Sequence, residues 1–293
     1  MELHGLESAL ISRRLEGVSA SGIRRFFDLA SSLEGVISLG VGEPDRPTPW
    51  HIREAAIYSL ERGYTTYTSN KGIPPLRHEI SRHLEAKYGI SYDPDTELLV
   101  TVGVSQGLDL AMRALLNPGD EVLVPDPAYV AYVPCVLLSG GNPVPLPTAE
   151  ATGFLLSPDT VSRSITPRTR AILFGYPANP TGAVMPREQL QAVAGLVEKH
   201  SLIAVSDEIY AGLTYGVQHT CFAALPGMKE RTVLLGGFSK AYAMTGWRLG
   251  YACGPAELIE AMTRIHQYTM MCASTMAQMA ALEALRNGEA AAR

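Results

Sequence analysis

Five short apolar runs constrain this chain more than any other feature. Leu98–Val102, Glu121–Val124, Ala171–Phe174, Leu202–Val205 and Val233–Leu235 are each too short for a helix and read as buried strands. Helical patterns separate them. The segment that begins at Gly103–Gly107 sets Leu108, Ala111, Met112 and Leu115 on one face, and Pro186–His200 aligns Leu190, Val193, Ala194 and Val197. Buried strands alternating with amphipathic helices predict an α/β fold, a mainly parallel sheet covered by helices on both faces. In such sheets ligand contacts collect in the loops that leave the carboxyl ends of the strands.

The flanks predict further helices. Ser21–Ala30 places Ile23, Phe26, Phe27 and Ala30 on one side, and Val36–Leu39 is a brief strand that ends in the Gly40–Asp45 loop. Thr48 and Pro49 have the residue types of a helix cap and first turn, so a helix is expected from there to about Glu61. A polar loop, Gly63–Gly72, carries Tyr64 and Tyr67, and Pro75–Tyr88 is helical. Beyond the last strand, residues 255–269 and Ser274–Leu285 read as helices, with no element expected after Gly288.

A formal net charge of −5 argues against nucleic-acid binding and against polybasic membrane attachment. No apolar run approaches the ~18 to 20 residues of a membrane helix, and the N-terminus lacks the pattern of a signal peptide. The four cysteines show neither metal-ligand spacing nor the density of a disulfide framework, so no metal is expected and a cytoplasmic setting is.

Chemistry concentrates in Gly237-Phe-Ser-Lys-Ala-Tyr-Ala-Met-Thr-Gly-Trp-Arg-Leu-Gly250, which follows the fifth apolar run. Lys240 lies among Phe238, Ala241 and Ala243, a setting that desolvates an amine, lowers its pKa and readies it for imine formation with an aldehyde. Arg248 offers a planar fork suited to a phosphate. An aldehyde that carries a phosphate is pyridoxal 5′-phosphate (PLP). The same residues also allow an exposed strand-end lysine beside an unrelated structural arginine. Other strand ends add candidates. The Gly103–Gly107 turn opens a helix whose amides and dipole favour an anion. Asp207, after Leu202–Val205, is able to hold a pyridine nitrogen protonated, or to cap its turn. Asn179, inside Gly175–Gly182, otherwise bonds its own turn.

Taken in order, these stretches resemble the class I/II aminotransferases, the fold-type I PLP enzymes. The likeness is carried by Gly42-Glu-Pro-Asp45, Asn179-Pro-Thr-Gly182, Asp207-Glu-Ile-Tyr210, and Ser239-Lys240 followed by Thr245-Gly-Trp-Arg-Leu-Gly250, and it runs from about Ser21 to the last residue. It implies transamination between an amino acid and a 2-oxo acid through a Lys240 Schiff base. By the same resemblance Val104, Ser105, Ser239 and Arg248 serve the phosphate, and Tyr129 stacks on the ring. Asp207 serves the ring nitrogen, Asn179 and Tyr210 the phenolic oxygen, and Gly42 with Asn179 the substrate carboxylate. Tyr67 in relatives reaches the partner's phosphate, which implies a homodimer. Two departures stand out: Gly237 replaces a phosphate-contacting serine, and Arg46-Pro47 replaces an aromatic. The resemblance further implies residues 1–40 as an N-terminal arm and 41–293 as the PLP-binding large domain. A small domain of roughly a hundred further residues, which carries the arginine for the substrate carboxylate, is not in this sequence. A PLP lyase of the same fold, or a catalytically impaired fragment, stays open at this point.

Overall fold

The computed structural model describes residues 12–15, 17, 18, 35 and 42–292. The expected helix at Ser21–Ala30 and strand at Val36–Leu39 lie outside them. Among the described residues seven strands form one sheet: β1 (Leu98–Thr101), β2 (Glu121–Asp126), β3 (Asn142–Pro147), β4 (Thr169–Gly175), β5 (Ile203–Asp207), β6 (Thr232–Gly237) and β7 (Gly250–Cys253), in the order β1-β7-β6-β5-β4-β2-β3. β7 pairs antiparallel with both β1 and β6, and the other neighbours are parallel. Among the described residues, the helices of seven residues or more are α1 (Trp50–Glu61), α2 (Pro74–Tyr88), α3 (Gly103–Leu115), α4 (Tyr132–Leu138), α5 (Pro158–Ser164), α6 (Arg187–Lys199), α7 (Ala256–Thr269) and α8 (Thr275–Asn287).

Alternation along each strand divides the core between the two faces of the sheet. Leu99, Val122, Val124, Ala171, Leu173, Val205, Val233, Leu235 and Ala252 face α3, α4 and α7. On the other face Leu98, Val100, Leu234, Tyr251 and Cys253 meet α1, α2 and α8. Further along that face Leu123, Ile172, Phe174 and Ala204 meet α5 and α6. The four residues aligned on α6, Leu190, Val193, Ala194 and Val197, are all buried there. Burial of each of the larger ones contributes about 1.5–3 kcal/mol.

Four elements depart from expectation for identifiable reasons. β3 contains Pro143, Pro145 and Pro147, residues that break a strand pattern, and it survives because it is the edge strand beside β2. β7 is four residues long and opens on Gly250, which hides it from sequence patterns. Thr48 does not cap α1. Pro49 takes the capping position without a side-chain bond, while the Thr48 hydroxyl donates to the Ala243 carbonyl 195 residues away. After Gly288 the chain makes one more helical turn, Glu289–Ala292, where no element was expected.

Registration of the strands brings the carboxyl ends of parallel β4, β5 and β6 level with one another and with the amino end of antiparallel β7. Gly175 pairs with Asp207 across β4 and β5, Asp207 with Leu235 across β5 and β6, and Gly237 with Gly250 across β6 and β7. Gly250 lets the start of α3 come close, since a Cβ there would lie 2.8 Å from the Gly103 carbonyl carbon and the Val104 nitrogen.

Candidate active site

Above these strand ends lies a cavity of about 450 Å³. Ten residues singled out in the sequence line it: Gly42, Val104, Ser105, Tyr129, Asn179, Asp207, Tyr210, Ser239, Lys240 and Arg248. Tyr67 does not line it; it is 81% exposed in the loop between α1 and α2.

Lys240 follows β6 and is half-buried. Its Nζ donates to the Gly42 carbonyl at 2.6 Å and lies 5.5 Å from the centre of the Tyr210 ring. Burial lowers its pKa, Glu43 opposes that shift, and Arg248 adds to it. The neutral, nucleophilic amine is therefore reached at lower pH than for an ordinary lysine.

Asp207 closes β5 and is buried. Tyr132 Oη donates to its Oδ2 at 2.9 Å and the Ile209 N–H to its Oδ1 at 3.1 Å. Burial nevertheless pushes the carboxyl from 3.8 up to about 6, because two neutral donors do not replace the water lost. Next to it Glu208 is held by Ser206 Oγ, the Phe222 N–H and His219, which fixes the backbone on that side. Asn179 Nδ2 meets Tyr210 Oη at 3.5 Å, so two donors converge on one part of the cavity.

Arg248 has φ +54°, and its Nη1 donates to the Thr245 carbonyl at 3.1 Å. The guanidinium rests against Gly103, where a Cβ would stand 2.7 Å from Nη2. Gly103 opens α3, whose first turn has no side-chain cap, so a cation and unsatisfied amides share that region. Gly237, the departure noted in the sequence, has a packing reason. A Cβ there would meet Ile209 Cδ1 at 3.0 Å and Val104 Cγ2 at 3.1 Å.

Tyr132, on α4, lines the cavity and bonds Asp207, and is not among the sequence candidates. Its ring packs edge-on to Tyr129 at 5.6 Å. Gly175 makes room for it, since a Cβ there would lie 2.6 Å from Tyr132 Oη. The available signal was Tyr132 three residues after Tyr129, together with a glycine ending β4. Glu43 and Thr245 also line the cavity and were not singled out.

This donor set fits a phosphorylated pyridine aldehyde. Asp207 is a buried carboxylate in want of a cation, Lys240 a desolvated amine, and the space beside Gly103 a cradle that a side chain would fill. Among the described residues no His/Cys/Asp/Glu cluster is suited to a metal.

A family profile described as aminotransferase class I and II matches residues 34–292. The chain is similar, at 55% identity over 281 residues, to the putative aminotransferase YugH of Bacillus subtilis, covering 96% of this chain and 73% of that one. It is 44% identical over 278 residues to aromatic-amino-acid aminotransferase 2 of Thermococcus litoralis, covering 94% and 72%. Among solved structures, the aspartate aminotransferase of Thermus thermophilus with maleate matches with a TM-score of 0.92 at 42% identity, over 96% of this chain and 74% of that one.

Proposed function

This chain belongs to the aminotransferase class I and II family and is a PLP-dependent transaminase, and from that premise we propose that Lys240 anchors the cofactor that would carry an amino group from an amino acid to a 2-oxo acid. The observation that carries the assignment is the Lys240 amine, depressed by burial, in one cavity with the buried carboxylate of Asp207. When bound, PLP supplies an electron-withdrawing ring that acidifies the substrate's α-proton. Asp207 holds the proton on the ring nitrogen by a charge-assisted hydrogen bond. Tyr210 and Asn179 donate to the phenolic oxygen, and Tyr129 packs on the ring face. Arg248, Ser105, Ser239 and the amides that start at Val104 bind the phosphate. Lys240, once free, takes the proton from the substrate α-carbon and returns it on the product side, a role that the lowering of its pKa by burial favours. Gly42 and Asn179 take the substrate carboxylate. The relatives named above are aminotransferases, which favours transfer over elimination.

Residues 41–293 are the cofactor-binding body in this reading. Homodimerisation belongs to it as well, supported by exposed Trp50, Ile57, Tyr58, Tyr64 and Tyr67 on and beside α1. So does a cytoplasmic setting, supported by four free cysteines. Among the described residues no helix is long and apolar enough to cross a membrane.

The test is borohydride reduction of the PLP-loaded protein followed by peptide mapping. A phosphopyridoxyl label on Lys240 is expected. A label on another lysine, or on none, overturns the assignment.

A further inference from the structure

The segment 42–48 touches the lysine loop, residues 239–248, at two points. At one end the Gly42 carbonyl accepts from Lys240 Nζ at 2.6 Å. At the other, Thr48 is 6% exposed, its Oγ1 donates to the Ala243 carbonyl at 2.6 Å, and it accepts from Trp247 Nε1 at 2.9 Å. The direction of these bonds is fixed by chemistry. An indole N–H only donates, so the hydroxyl must accept from Trp247 and has one proton left for Ala243. Ala243 has φ +53°, a left-handed conformation that a residue with a Cβ rarely holds without support. Its own N–H donates to the Lys240 carbonyl at 3.4 Å, which ties that conformation to the lysine backbone.

We propose that Thr48 is a positioning residue for the transamination site: its hydroxyl locks segment 42–48 onto the lysine loop and so keeps the Gly42 carbonyl on the Lys240 amine. The inference rests on the assignment of Lys240 as the cofactor lysine. Its consequence is electrostatic. A carbonyl that accepts from the amine favours the charged form, so losing that contact lowers the pH at which the amine is set free. The groups that act on Lys240 are Glu43, which raises its pKa, Arg248, which lowers it, and the Tyr210 ring. Arg248 and Tyr210 lie outside segment 42–48 and stay in place when Thr48 is substituted, whereas Glu43 moves with the segment, and its withdrawal lowers the lysine pKa in the same direction.

The experiment follows the rate of imine formation between cofactor-free protein and added PLP across pH, for wild type, Thr48→Val, Thr48→Ser and Trp247→Phe. Titrations of PLP itself are common to all four proteins and cancel in the comparison. Thr48→Val is expected to lower the midpoint by about 0.5 pH unit or more, about a threefold change in the proton equilibrium. Thr48→Ser, which restores the hydroxyl, is expected to keep the wild-type midpoint. Trp247→Phe is expected to fall between, because it leaves the bond to Ala243 in place. An unchanged midpoint in Thr48→Val overturns the proposal, whatever that variant does to the melting temperature. If Thr48→Val does not fold, an unchanged midpoint in Trp247→Phe overturns it. Labelling of a lysine other than Lys240 in the wild type overturns both the proposal and the assignment beneath it.

Discussion

Tyr132 Oη donates a hydrogen bond to Asp207 Oδ2 at 2.9 Å, across 75 residues of sequence and inside a buried site. Burial raises the Tyr132 pKa well above its ordinary value, so the phenol remains a donor at every working pH. The bond steadies the carboxylate that the proposed function assigns to the cofactor's ring nitrogen.

Tyr132→Phe removes that donor and keeps the ring. A hydrogen bond to a charged group is worth about 1.5–3 kcal/mol, so the affinity for PLP is expected to fall about tenfold or more. Titration of the cofactor-free variant with PLP checks this, and an unchanged Kd removes the role.

Gly103→Ala tests the phosphate end. The substitution places a Cβ 2.7 Å from Arg248 Nη2 at a position with φ +74°. Left-handed backbone alone costs about 1–2 kcal/mol for a residue with a Cβ, and the guanidinium must also move. PLP is expected to bind about tenfold more weakly, while pyridoxal, which lacks the phosphate, loses much less. Equal losses for both would show general damage rather than a phosphate site.

The parts of the site legible in the sequence are those whose chemistry is local. Asp207, Asn179 and Lys240 each follow an apolar strand and sit in a short polar or Gly/Pro-marked stretch, and the fold gathers strand ends to one place. Tyr132 is not legible in the sequence because its place in the site depends on a contact made over Gly175 that no local pattern marks. Thr48 looked like a helix cap since threonine before proline is the local signal for one. A long-range bond to Ala243 overrode it. Prolines concealed β3, for their missing donors matter only if both strand edges are paired.

Exposed aromatics on α1 and the loop after it bear on assembly. Trp50 and Tyr58 are large and solvent-facing, and Tyr67 is more exposed still. Sedimentation of the PLP-loaded protein is expected to give a species of about twice the 31.5 kDa chain mass. Tyr58→Glu is expected to shift it toward monomer. A monomer in the wild type overturns the dimer reading.

Asp207 makes a last prediction, with its sign fixed by linkage. Its carboxyl rises from 3.8 to about 6 in the cofactor-free fold because burial penalises the charged form. Between those values the native state keeps a proton that the unfolded chain has released, so fewer protons are bound unfolded than folded. Stability contributed by this group is therefore full below about pH 4, falls as pH rises to about 6, and is flat beyond. The total corresponds to roughly 3 kcal/mol. Asp207→Asn carries no such penalty. The cofactor-free variant is expected to unfold at higher denaturant concentration than wild type at pH 7.5, and to lose that advantage near pH 4. With PLP bound the order reverses, because the ionised carboxylate then meets a protonated ring nitrogen and its burial is compensated. Denaturant unfolding at both pH values, with and without PLP, gives the four comparisons. A difference between the proteins that ignores pH would mean that burial of charge at Asp207 is not what the variant relieves.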